Sequence, residues 1–246
     1  MSQWGDMMRR SSGQTIRKED LLVIIDNANL SKDEEDDIKS LLEDLLYNAL
    51  KKCDIFSIKD KLGKNVELSE KRKTYLELFK ERGSEPKKDE TEELQAIRVL
   101  GEYNKKNGVI ILYINNIKDC ANEQNAPGIN REPYLTVTRY VYLHELMHAF
   151  FDKGAKGYVY DLKQEEGLAE FGALLHLNQL ANTTPDECIP NVKYASKEEL
   201  DWAVRHVEGK KGALECYARG AYLFKLFGHD KELSKKMLEA YPKSVE

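Results

Sequence analysis

The stretch His144-Glu145-Leu146-Met147-His148 sits inside an apolar-rich segment that opens at Pro133 and runs through Phe151 to Gly154. Proline suits the first turn of a helix and glycine its stop, so the spacing predicts a helix over 133–154. Residues four apart on a helix share a face, which lets the imidazoles of His144 and His148 reach a single metal ion. Glu145 lies about 100° round the axis from His144. Its carboxylate is therefore beside such an ion, where it can take a proton from bound water instead of ligating. The other reading of the same residues is a pair of half-buried polar histidines on an amphipathic helix, and a third ligand separates the two.

The next helix is expected from a capping-box pair at Asp161 and Gln164 to about Leu180, and it opens with Gln164-Glu165-Glu166-Gly167-Leu168-Ala169-Glu170. Glu166 and Glu170 are four apart and share a face. That pairing suits one direct ligand and one outer carboxylate that accepts the second ring N–H of a metal-bound histidine and fixes its tautomer. Gly167 would let the two helices approach closely. An acidic first turn favoured by the helix dipole accounts for the same residues without a metal.

Taken together, HExxH and Glu166-Gly167-Leu168-Ala169-Glu170 resemble the gluzincin metallopeptidases, which carry a glutamate ligand on the helix after HExxH. The resemblance implies Glu166 rather than Glu165 as the third ligand, Glu170 as the outer carboxylate, and one Zn²⁺ per chain. It also implies hydrolysis of a peptide or protein substrate with Glu145 as general base. Further on, Tyr217-Ala218-Arg219-Gly220-Ala221 resembles the Tyr-x-Lys-Gly-Ala segment of aminopeptidase-like gluzincins, which makes Tyr217 the group that supports the oxyanion. A phenol is neutral at pH 7 and can donate to developing negative charge. From periodicity alone, Tyr217, Tyr222 and Phe224 are equally a packing set on an amphipathic helix.

The resemblance spans about residues 109–227. It does not extend to exopeptidase specificity, because the chain lacks the Gly-x-Met-Glu-Asn loop with which those aminopeptidases bind a free amine. His176, within Leu174-Leu175-His176-Leu177, reads as a packed helix histidine; as a fourth ligand it would make the zinc structural. His206 is the second candidate for a transition-state donor, and His229 lies near an expected helix end. Two other functions use the same residues: a zinc-binding interaction protein without catalysis, and a metallohydrolase that does not act on peptides.

Upstream, Val109 to Ile114 is β-branched and bounded by Gly108 and Asn115, so it reads as a strand, either an edge along which a peptide could align or a buried structural one. Leu21 to Ile25 is a strand or the start of a helical region. Ser31 with Glu34 has capping-box spacing for a helix to about Lys52. Helices are expected over 69–82 and 89–106, with Gly83 and Gly108 at their ends, and later over 196–207, 213–227 and 231–240. The expected organisation is a loose tail over 1–19, a mainly helical region over 20–107 and a catalytic region over 108–246. The fold class is α+β and predominantly helical with a small sheet, and zincin-like by the resemblance.

Composition bounds the function classes. The chain has 246 residues, 41% of them hydrophobic, enough for a sizeable core. Thirty-eight basic against forty-three acidic residues give a net charge of −5, which argues against nucleic acid as a partner. No apolar run reaches the roughly 18 residues of a membrane span, and Met1 to Asp20 lacks the apolar core of a secretory signal. A cytoplasmic protein is expected. Cys53, Cys120, Cys188 and Cys216 form no CxxC pair, so neither a thiolate zinc site nor a disulfide framework is expected.

Overall fold

The computed structural model describes residues 22–52, 64–81, 83, 91–129, 132–154, 162–182 and 195–240. The tail over 1–19, the stretch over 53–63, and Asp161 of the expected capping box lie outside the described residues. In chain order the elements are β1 (Val23–Asn27), α1 (Lys32–Lys52), β2 (Asn65–Ser69), α2 (Tyr75–Glu81), α3 (Thr91–Ala96), β3 (Gly101–Asn104), β4 (Val109–Tyr113) and α4 (Ile114–Glu123). They continue with α5 (Pro133–Gly154), α6 (Leu162–Ala181), α7 (Lys197–Glu208), a 3₁₀ turn (Gly212–Leu214), α8 (Glu215–Phe227) and α9 (Lys231–Ala240). The described chain is mostly helical with one small mixed sheet, an α+β fold.

The strand order is β1-β2-β4-β3; β1, β2 and β4 run parallel and β3 pairs antiparallel to β4. Alternate residues of a strand point to opposite faces. Val66 and Leu68 are in register with Ile110 and Leu112, and all four are fully buried. They share a core with Ile38, Leu41 and Leu42 of α1 and with Leu135 and Val137 of α5. The opposite face carries Ile111 and Tyr113, packed with Leu78 of α2 and with Val99. The central helix α5 touches α1, α4, α6, β3 and β4. This explains why nearly every residue from Tyr134 to Ala149 is buried and why the helix shows little amphipathic patterning.

The sheet corrects the expectation of a mainly helical region over 20–107, since β1, β2 and β3 all lie there. The segments expected as helices over 69–82 and 89–106 hold α2 and α3 in their middles, with β2 ending at Ser69 and β3 within the second. Gly83 stands where expected: with φ +71 its N–H donates to the Lys80 carbonyl at 3.0 Å, just past α2. Gly108 instead closes the β3–β4 hairpin, with φ +70 and an N–H donating to the Asn104 carbonyl at 2.8 Å. A four-residue strand with only Tyr103 pointing into the core is too short for alternation to register. Its glutamate and lysine neighbours also favour helix locally.

Val109–Tyr113 is an interior strand, flanked by β2 and β3, so the edge reading is corrected; the edges are β1 and β3. Ile114 begins α4, a helix the sequence did not signal. The capping boxes at Ser31 and Ser196 form: the Glu34 N–H donates to Ser31 Oγ at 3.3 Å, and the Glu199 N–H to Ser196 Oγ at 3.2 Å.

Candidate metal centre

The site is built where α5 and α6 cross. Gly172 permits that approach, because a Cβ there would lie 2.7 Å from Met147 Cε of α5. Gly167, expected to serve this contact, instead faces α8: its Cβ would meet the Cys216 carbonyl at 3.0 Å, and one on Gly220 would lie 2.5 Å from Glu170 Cβ. The close α6–α8 crossing brings Tyr217 over the α5 histidines. Its ring stacks on His144 with centroids 5.5 Å apart and planes 21° apart.

The Nε2 atoms of His144 and His148 lie 3.1 Å apart. Glu166 Oε2 is 3.1 Å from the first and 3.3 Å from the second. Four donors at about 2.0–2.1 Å from a tetrahedral zinc would be about 3.3–3.4 Å from one another, so this triangle has the right size. Among the described residues these three form the one group of histidine, cysteine or acidic side chains with convergent ligand atoms.

Each imidazole has its distal nitrogen on a carboxylate. His148 Nδ1 lies 2.8 Å from Glu165 Oε1, and His144 Nδ1 lies 3.3 Å from Glu170 Oε2. With an ion at Nε2, that arrangement would keep the ring proton on Nδ1 and leave the Nε2 lone pair to the ion on both rings. Glu165 also accepts from Lys105 Nζ at 3.1 Å, and Glu170 from the Tyr140 hydroxyl at 2.6 Å. The Tyr217 hydroxyl donates to Glu166 Oε2 at 2.9 Å and lies 2.5 Å from the Tyr75 hydroxyl. Because the single Tyr217 proton is on Glu166, Tyr75 is the donor between the two phenols.

The electrostatics favour a cation. Glu145, Glu165, Glu166 and Glu170 are all buried within this region, and the Lys105 ammonium pairs with Glu165. Burial alone would deprotonate the imidazoles. The hydrogen bonds and charge of the glutamates overcome it, holding His144 well above the ordinary histidine range and pushing His148 up to about 9. Burial likewise opposes the Glu166 charge, yet the two imidazoles hold its pKa well below the usual carboxylate range. Two imidazolium protons carry the same charge as one divalent ion, so a dication can replace them without upsetting the balance. Burial, then the Glu166 charge, keeps Tyr217 well above the usual phenol value and therefore protonated.

The structure thus brings together His144, His148, Glu166, Glu170 and Tyr217, the residues singled out from the sequence. Glu145, one position round α5, lines an open cleft together with His144, Tyr217, Tyr75 and Gly101. His176 is buried on α6 outside the cluster. Sequence reasoning passed over Glu165, Lys105, Tyr75 and Tyr140. Glu165 was visible as the neighbour of Glu166, but only the crossing angle of the helices gives each of two consecutive carboxylates its own histidine. Tyr75 carries no motif. No protein-family model, curated protein or solved structure matches this chain. No described helix is long and apolar enough to cross a membrane.

Proposed function

We propose that this protein is a zinc-dependent hydrolase of peptide bonds, with the ion held by His144, His148 and Glu166. The observation that carries the reading is the ligand triangle with edges of 3.1–3.3 Å, each of its histidines braced from behind by a glutamate. A zinc ion bound there supplies Lewis-acid chemistry, polarising a carbonyl and acidifying water. Glu145 faces the cleft and serves as general base, accepting the proton of the attacking water and returning it to the departing amine. Tyr217 remains a neutral donor; it turns its O–H from Glu166 to the oxygen that gains charge as the carbonyl becomes tetrahedral. Tyr75, donating to the Tyr217 oxygen, holds that phenol in place. Glu165 and Glu170 keep both imidazoles in the tautomer that presents Nε2.

A purely structural zinc is less well supported, because among the described residues no fourth histidine, cysteine or acidic atom joins the group. The test pairs elemental analysis with a peptide-library digest. The expected result is one zinc per chain, and cleavage that stops on chelation and returns with zinc. Tyr217→Phe should lower kcat by about 10²–10³ with zinc retained. Zinc at full stoichiometry without cleavage of any peptide would point to the binding role.

A further inference from the structure

The cleft carries positive charge that the proposed chemistry does not use. Its wall includes Arg98 before β3, His206 of α7 and Lys210 just beyond that helix. Arg98 is neutralised by Glu123 at 2.8 Å, with Asp119 at 3.5 Å. Lys210 has no ion pair or side-chain hydrogen bond among the described residues. The His206 ring is fixed in place, stacked on Trp202 at 5.1 Å and edge-on to Tyr140 at 5.9 Å. Its Nδ1 is buried and has no hydrogen-bond partner among the described residues. Burial, aided by the Lys210 charge, pushes this histidine down to about 4, so near neutrality it is an uncharged ring with one N–H.

Lys210 is a half-buried ammonium without a counter-ion among the described residues, on the same cleft wall as the His206 ring, and that setting suits a ligand that accepts hydrogen bonds and carries negative charge. An apolar or cationic group would leave the Lys210 charge uncompensated.

We infer that Lys210 and His206 form a subsite for a carboxylate of the peptide substrate, either an acidic side chain near the cleaved bond or the free C-terminal carboxyl group. The inference rests on the hydrolase reading and gives it a substrate class. The ammonium supplies charge and donors, and the clamped imidazole supplies direction.

The test uses the zinc-loaded full chain and matched fluorogenic peptides. Asp is exchanged for Asn at each position flanking the cleaved bond, and the C-terminal acid is exchanged for the amide. The carboxylate member of one pair should show a kcat/KM about tenfold higher, through KM, with the advantage shrinking as salt rises. The pair that responds tells side chain from terminus. In Lys210→Gln the ratio should fall to about one, and Lys210→Arg should keep most of it. A ratio near one for every pair in the unaltered chain, or a ratio unchanged in Lys210→Gln, overturns the subsite.

A second measurement does not depend on turnover: binding of acetyl-Ala-Asp-amide, acetyl-Ala-Asn-amide and acetyl-Ala-Ala free acid to zinc-loaded Glu145→Gln, read from the His206 ring resonances. Tighter binding of a carboxylate peptide, lost with Lys210→Gln, upholds the subsite even if the unaltered chain cleaves nothing, in which case the hydrolase reading alone fails. Equal binding of the three overturns the subsite.

Discussion

Arg139 and His144 lie five residues apart on α5 and are both buried, yet their surroundings differ in kind. Arg139 is fully buried and donates from Nη1 to Glu199 Oε2 at 2.9 Å. Glu199 also closes the capping box of α7, and the Asp44 charge of α1 acts on the guanidinium. This is a closed ion pair that ties α5 to α7. Around His144 the acceptors outnumber the fixed cations, the imidazoles hold protons against the pull of burial, and one side opens on a cleft. Burial of charge is common to both, so burial does not mark function. What sets the second region apart is a group of ligand atoms at metal-sized spacing.

The sharpest way to separate the two regions is to remove one carboxylate from the cleft side. Glu145→Gln should reduce turnover by about 10²–10⁴ while zinc content and unfolding midpoint stay as they were; comparable activity in the variant removes Glu145 as the base. Arg139→Met should act in the opposite sense, costing about 3–5 kcal/mol in urea unfolding because Glu199 is left buried without its cation, with zinc stoichiometry of the folded protein unchanged. Adding Glu199→Gln to it should recover much of that loss; no recovery would mean the pair is not the closed unit described.

Glu165→Gln and Glu170→Gln test the braces behind the histidines. Each should weaken zinc binding by about 10–100-fold in a competition titration, through loss of tautomer control. Equal affinity would reduce both glutamates to charge fillers. The smallest effect near neutrality concerns two histidines away from the ligand triangle: burial pushes both His176 and His206 down to about 4. Their folded pKa lies below the unfolded value, so the unfolded chain binds more protons between about pH 6.5 and 4. The stability they contribute is present above pH 6.5 and declines as pH falls through that window. His176→Gln and His206→Gln should flatten the acid limb of a Tm-against-pH curve; an unaltered limb would show that other groups set it.

Legibility of the sequence followed the range of the interactions involved. The helix over 133–154, the strand at Val109 and the cap at Ser31 depend on neighbours a few residues away, and they could be read. The edge strand β3 and helix α4 could not. One has a single inward-facing residue, and the other starts directly from a strand at Ile114 with no capping side chain to announce it. Within the site, His144 and His148 were legible because a helix turns their spacing into a shared face, and Glu166 was singled out only through the resemblance. Tyr75 was not, since it reaches Tyr217 across 142 positions of chain.

By itself the sequence determined the chemistry on offer: two imidazoles and a glutamate on one helix, a run of carboxylates on the next, and a phenol farther on. The helical repeat alone orders those groups along each rod. The tertiary structure decided which glutamate meets which nitrogen, that Gly172 rather than Gly167 allows α5 and α6 to approach, and that Lys210 shares a cleft with Glu145. Such matters depend on how the helices cross and how closely their backbones pack, and those are properties of the whole core, which no local spacing encodes.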